Sequence, residues 1–271
     1  MTGTPVRDDV RVLGGRDPRR LWDGDILGLE CFNPGTEARE KLDVRLLTAD
    51  DVADAEALHR RARASLTDPT TLRLDTAAFF RDHLGERGCI IGVFQQRRMI
   101  AYGVLGFPDR RDDDWGRDVR LPDDEVERLA YLDGASVDAG WRGCGLQRAL
   151  ALIRLELARA RGRRHALSTV APKNFYSWRN LMMVGLRIKG MAVKYGLGWR
   201  FILHARIGAQ VDALEGPSGV ARLDDYALQR RLLQAGYWGH ACVETASGAR
   251  AVAFARPAVL DPRSGKSQAG G

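Results

Sequence analysis

Cysteine is scarce in this chain: four of 271 residues, Cys31, Cys89, Cys144 and Cys242, set far apart with no CxxC pair. That scarcity argues against a disulfide framework or a cysteine-built zinc site, and it predicts free thiols in a reducing compartment. The five histidines (His59, His83, His165, His204, His240) show no metal-ligand spacing and read as structural or surface residues, so no metal is expected. Long hydrophobic runs are missing as well. Met99–Phe107 is among the longest; it falls far short of the ~20 residues a bilayer span needs and reads as a buried strand. The opening MTGTPVRDDV lacks the apolar core of a secretory signal. A cytoplasmic protein with no membrane partner is the expectation. The net charge of +7 suits phosphates, acidic small molecules or nucleic acid. No basic run carries interleaved aromatics, however, and bases alternate with acids, which argues against nucleic acid. Apolar residues at 45% and charged residues at 28% are an ordinary globular mix, with ample material for a core.

Residues 1–43 are rich in Gly, Pro, Asp and Arg and read as a mostly irregular N-terminal extension, with a strand pattern at Asp25–Phe32. Val44–Leu47 reads as a short strand. Thr48 and Asp50 then offer an N-cap to a helix whose apolar face is Val52, Ala55 and Leu58. AAFFRDHL reads as a second helix, and two apolar runs around Gln95–Arg98 signal a hairpin. RLAYLDGASVD is another strand. A helix from about Leu146 to Arg161 follows, with Leu146, Leu150, Ile153 and Leu157 on one stripe. HALSTVA returns as a strand, NFYSWRNLMMVGL as a helix that stops at Gly185, and RFILHARI as a strand. The order β-α-α-β-β-β-α-β-α-β gives an α/β fold with a mixed sheet flanked by helices. Asp224–Pro257 adds a helix and a hairpin. The expected division is 1–43 extension, 44–207 main domain, 208–260 C-terminal extension packed on that domain, and 261–271 a disordered tail.

WRGCGLQRAL, residues 141–150, sets two glycines immediately before a helix. Gly143 and Gly145 open backbone conformations closed to other residues and let a ligand approach the main chain. The first N–H groups of the helix have no intrahelical partner and carry the positive end of its dipole. Strand, glycine turn and helix start together make a cradle for a phosphate, with Arg142 at its rim. A Walker loop does not fit: the GKS at 265–267 has Leu260 where the first glycine belongs. A dinucleotide fingerprint fits poorly, with Arg148 at the third glycine position and no acid in HALSTVA.

VDAGWRGCGLQRALALIRLEL resembles the acyl-CoA motif of the GNAT N-acetyltransferase family, [QR]xxGx[GA] after a strand ending V-x-P. Arg142 and Gly145 match the first two motif positions. Gln147 stands in place of the usual small residue, and Ala139 in place of the proline. NFYSWRNLMMVGL resembles the second family motif, NxxAxxLYxxxGF, through Asn174, Ser177, Gly185 and Leu186. Asn180 replaces its leucine and Leu181 its tyrosine. The resemblance spans roughly Val44 to Ile207 and extends to the element order.

The resemblance implies a GNAT-like fold and acetyl-CoA as cosubstrate. Its pyrophosphate would meet the backbone of Gly143, Cys144, Gly145, Leu146 and Gln147, and its pantetheine arm would pair with the strand ending Ser136–Val137. Asn174 and Ser177 would face the pantetheine or adenine. The resemblance further implies a carboxylate base on the strand before the glycine turn. Asp133 is the first candidate, through strand parity with Ala135 and Val137, and Glu127 the second. With tyrosine missing at 181, Tyr176 is the candidate acid for the leaving thiolate. Each has a plainer alternative: Asp133–Gly134 as a bulge, Arg142 as a ligand of a helix end, Ser177 as packing. The implied activity is acetyl transfer to a primary amine of a small or amino acid-like molecule. A protein or peptide amine, or a silent acyl-CoA-binding module, remain the alternatives. The acid-rich stretch 108–128 is expected near a cationic acceptor. The C-terminal block leaves open an added layer, a longer sheet or a homodimer contact.

Overall fold

The structure is a computed structural model that describes residues 10–13, 17–108, 115–209 and 213–258. It divides into two compact units, Met1–Ala209 and Gln210–Gly271. The disordered tail expected at 261–271 lies outside the described residues.

In the first unit, Leu27, Leu29 and Cys31 alternate with less buried residues, the period of two that makes a half-buried strand. This strand is β2 (Leu27–Asn33). It pairs with β1 (Val10–Val12) on one side and with β3 (Ala38–Leu46) on the other, both antiparallel. The described residues of the N-terminal region are therefore not mainly irregular. It supplies sheet, and a boundary at 43/44 would cut through β3. The chain continues through α1 (Val52–Ala64), α2 (Ala77–Asp82), the hairpin β4 (Gly88–Gln95) and β5 (Arg98–Gly106), and two short helices, α3 (Trp115–Asp118) and α4 (Asp123–Val126). Then follow β6 (Leu129–Val137), α5 (Leu146–Ala160), β7 (His165–Val170), α6 (Phe175–Met183), β8 (Arg187–Val193) and β9 (Trp199–Arg206).

The strands of this unit lie in the order β1-β2-β3-β4-β5-β6-β7-β9-β8. Every pairing among them is antiparallel except β6 with β7. The fold is α/β with a mixed sheet, as the element order predicts. One face is covered by α5, whose Leu146, Leu150, Ile153 and Leu157 pack with Leu29, Val44, Ile91 and Ile100. The other carries α1 and α2, where Leu58 and Phe80 pack with Ile90, Tyr102 and Val104. One more strand than expected follows α6, because Gly185 ends that helix and the chain turns straight into β8.

The second unit comprises β10 (Leu214–Arg222), α7 (Tyr226–Gln234), β11 (Trp238–Glu244) and β12 (Arg250–Pro257). β12 is central, with β11 and β10 antiparallel on either side. The expected helix and hairpin are present, and β10 is an addition to them. Leu232 of α7 packs close against Gly219 of β10. No helix among the described residues is long and apolar enough to cross a membrane.

Candidate active site

The parallel strands β6 and β7 are joined by three pairs only: Leu129↔His165, Ala130↔Ala166 and Tyr131↔Leu167. Beyond Tyr131 no further pair links them, although β6 runs on to Val137 and β7 to Val170. The two strands part into a V that opens toward the glycine turn. A bulge starts the parting. Leu105 pairs with Leu132 and Gly103 with Ala135, so Asp133 and Gly134 together oppose Val104. Ser168 of β7 donates to the carbonyl of Leu132 at 2.8 Å, the last polar link before the strands separate.

At the open end, Gly143 and Gly145 adopt left-handed φ values of +84° and +75°. Gly145 is the N-cap of α5, and the first helical bond runs from Ala149 N–H to its carbonyl at 3.1 Å. The N–H groups of Leu146, Gln147 and Arg148 thus have no partner within the helix, as the first turn requires. The side chain of Leu146 is buried in the core, and so is that of Cys144, next to Cys31 of β2. Burial and the neighbouring Cys144 sulfur push the Cys31 thiol up to about 12. None of the four cysteines is in a disulfide.

The other motif side chains are committed within the protein. Arg142 reaches the end of α1, donating to the Ala62 carbonyl at 3.2 Å and to the Ser65 hydroxyl at 2.5 Å. Its guanidinium holds a helix C-terminus rather than the rim of the turn. Gln147 donates to the Ser177 hydroxyl at 3.0 Å and accepts from Asn180 at 2.8 Å, so it clamps the start of α5 to α6. Asn174 is the N-cap of α6 and offers its carbonyl to the Ser177 and Trp178 N–H groups.

The bulge also changes where β6 points its side chains. Val137 packs with the core beneath α5. Ser136 faces the opposite side, where it is buried and donates to the Tyr102 hydroxyl at 3.3 Å. Asp133 lies on that same side as Ser136. The parity linking Asp133 to Val137 therefore fails, because the extra residue shifts the alternation by one.

Around Asp133 is a cluster built from distant segments. Arg73 donates from Nε to Asp75 at 2.8 Å and from Nη2 to Asp133 at 3.4 Å. Its guanidinium lies over the rings of Phe79, at 4.6 Å, and Tyr195, at 5.0 Å. The Tyr195 hydroxyl meets Thr169 of β7 at 3.0 Å. Asp75 presses on Gly134, where a Cβ would fall 2.4 Å from its Oδ2. Burial pushes the Asp75 carboxyl up to about 6, against the pull of Arg73. Burial also raises the Tyr195 hydroxyl, the Asp133 charge adds to the rise, and the phenol is held protonated. Behind the cluster, His59 Nδ1 is 2.7 Å from the Tyr102 hydroxyl and its Nε2 is 3.1 Å from the Asp75 backbone nitrogen. Burial lowers the His59 pKa and keeps the ring neutral.

Two predicted residues are not brought here. Glu127 is exposed and precedes β6 at its closed end, about 20 Å of strand from Asp133. Tyr176 is 67% exposed on α6, edge-on to Phe175. The basic run 159–165 sits at the far end of α5, about 22 Å from the glycine turn. There Arg161 stacks on Trp22 and Arg163 on Phe107. The acids 112–114 lie outside the described residues. Arg73, Asp75, Thr169 and Tyr195 carried no local signal. Two come from the loop between α1 and α2, one from a strand and one from a hairpin turn.

No family model matches the chain, and no curated protein matches it. Its structure is similar to those of GNAT-family N-acetyltransferases. The acetyltransferase of the GNAT family from Streptococcus pneumoniae is 16% identical over 62% of this chain and 99% of its own, with a TM-score of 0.48. The ribosomal-protein-S18-alanine N-acetyltransferase from Escherichia coli is 18% identical over 65% and 99%, with a TM-score of 0.47. The yncA protein from Salmonella typhimurium, solved with its cofactor acetyl-CoA, is 17% identical over 64% and 98%, also at 0.47.

Proposed function

We propose that this protein is an acyl-CoA-dependent N-acetyltransferase that moves an acetyl group from acetyl-CoA to the primary amine of a small molecule by direct attack. The observation that carries the reading is the V between the parallel strands β6 and β7, with a glycine turn and a helix start at the open end. The unladdered edge of β6 beyond Tyr131 offers backbone to an extended pantetheine arm, as an added strand would require. The N–H groups of residues 146–148 suit a diphosphate. The left-handed backbone of Gly143 and Gly145 turns that helix start toward it.

The chemistry follows from the cluster on the α1/α2 side. The amine nitrogen must shed a proton to attack the thioester carbon. Asp133 receives that proton. A backbone N–H of the parted β6 edge stabilises the oxyanion as the C–N bond forms. When the C–S bond breaks, the thiolate takes a proton from Tyr195, which serves in place of the tyrosine absent at 181 and of Tyr176; the nitrogen gives its second proton to the phenolate, and Asp133 passes the first to solvent. Arg73 holds both carboxylates and stacks on Tyr195, so it fixes base and acid relative to each other. The acceptor is an amine drawn as a cation toward the Asp75–Asp133 pair.

Calorimetry with acetyl-CoA, followed by a thiol-release assay over a panel of small primary amines, tests the reading. Binding with amine-dependent release of CoA is the expected result. Binding without release from any amine would leave an acyl-CoA-binding module. No binding by the folded protein would overturn the proposal.

A further inference from the structure

Arg154 is the unusual residue of α5. It sits on the stripe that faces the sheet, is 1% exposed, and no carboxylate lies within ion-pair distance of it among the described residues. Its three bonds all go to carbonyls: Nε to Leu150 at 3.1 Å, and Nη1 to Val104 at 3.1 Å and to Asp133 at 3.2 Å. Burial lowers its pKa to about 10, and the group remains a cation at neutral pH. Burying a guanidinium without a counter-ion is costly, and an apolar residue of similar volume would fill the space at less cost.

The two carbonyls beyond its own helix identify what the arginine does. Val104 and Asp133 face each other across the bulge, where the extra residue breaks the ladder between β5 and β6. A carbonyl removed from a ladder inside the protein needs another donor. One guanidinium nitrogen, approaching from the α5 side, donates to both. Gly103 makes the approach possible: a Cβ there would lie 3.1 Å from Nε and 3.3 Å from Cζ of Arg154. On the other edge of β6, Ser168 satisfies the Leu132 carbonyl in the same manner. The bulge is thus bolted from beneath, at the carbonyl of the residue whose carboxylate stands in the cluster: Asp133 keeps the face of Tyr131, two residues before it, and the alternation breaks just after it.

We propose that Arg154 is a positioning residue: by holding the Asp133 carbonyl and the bulge that begins there, it fixes the place of the Asp133 carboxylate on the α1/α2 face. The inference rests on Asp133 being the base of the reading above. It acts through backbone, from the opposite side of the sheet, and does not touch the reacting atoms.

A mutant cycle tests it. Arg154→Met removes the donors and keeps much of the volume. The expected kcat loss is about 100-fold, the scale of a misplacement near 1 Å, with acetyl-CoA affinity within threefold of wild type. In an Asp133→Asn background the same change should cost less than threefold, because nothing remains to be aimed. Arg154→Lys, which keeps a charged donor, should recover at least tenfold over Met. An equal loss in both backgrounds, or no loss in the first, would overturn the proposal. If Arg154→Met does not fold, Gly103→Ala, which displaces the guanidinium without removing it, takes its place in the cycle.

A second readout needs no activity. The Gly134 N–H donates to the Asp133 side chain at 3.0 Å and so reports where that carboxylate lies. Amide exchange at Gly134 should quicken at least tenfold in the variant while Ile91, central in β4, stays unchanged. Unchanged exchange at Gly134 would sink the inference even if acetyl transfer is confirmed. Faster exchange in a protein that releases no CoA would uphold the bolt and refute the acetyltransferase reading alone.

Discussion

Replacing Gly145 by glutamate and by alanine separates two effects at the glycine turn. At φ +75° and ψ 1° an L-residue pays the left-handed penalty, about 1–2 kcal/mol. For a domain near 200 residues that lowers the melting temperature by about 3–6 °C. Both variants carry this strain, so Gly145→Ala is the reference. Glutamate adds a charge at the N-cap of α5, where the reading places the diphosphate. Two like charges about 5 Å apart repel by about 3 kcal/mol at an effective dielectric of 20. Salt screening removes part of this and leaves about 1.5–3 kcal/mol, an affinity loss of about 10- to 100-fold. Calorimetry of acetyl-CoA on the two variants reads the difference directly, and raising the salt should narrow it. The reasoning is refuted if Gly145→Glu binds within threefold of Gly145→Ala. A site elsewhere would feel neither the charge nor its screening.

Tyr195→Phe should lower the rate of CoA release at least tenfold without altering acetyl-CoA affinity; an unchanged rate would remove Tyr195 from the proton path. Gly134→Ala should cost about 1–3 kcal/mol in urea unfolding, because its Cβ meets Asp75 Oδ2 at 2.4 Å. The same change in an Asp75→Ala background should cost much less, and equal costs would show that the contact is not the cause. Stability should also fall with acid. His204 stacks on His165 inside the sheet, and burial, then Lys189, lowers its pKa to about 2; burial lowers His165 too, against the pull of Glu125. His204 is neutral when folded and takes up a proton near pH 6.5 only when unfolded, and His165 takes one up at a lower pH folded than unfolded. Their contribution is therefore complete above about pH 6.5 and declines as the pH falls below it, by up to about 1.4 kcal/mol per pH unit for each group. Urea midpoints from pH 7.5 to 5 should show this slope in wild type and a shallower one in His204→Gln; parallel slopes would contradict the assignment.

What the sequence reveals here is what a single element determines by itself. The stripe Leu146, Leu150, Ile153 and Leu157 gives α5 to within a residue, since helical period and burial are the same fact seen twice. The glycines before it announce a left-handed turn because little else tolerates one. Side-chain destinations are a different matter. Arg142 stands in the motif, yet it serves the end of α1, a partner about 80 positions away that no local pattern encodes. Arg73 and Tyr195, 122 positions apart, meet only once the sheet is assembled. Asp133 shows the limit most clearly. Counting by twos along β6 assumes an unbroken ladder, and one inserted residue reverses every side chain after it. The sequence does mark the place, because a glycine inside a strand signals a bulge or a close approach. At Gly134 it is both: the bulge reverses the residues after it, so that Ser136 and not Val137 shares the face of Asp133, and the missing Cβ admits Asp75. Asp133 is therefore a candidate base for its place beside Arg73, and not for parity with Ala135 and Val137. It keeps the face of Tyr131, the alternation breaks just after it, and Arg154 holds the backbone at the break.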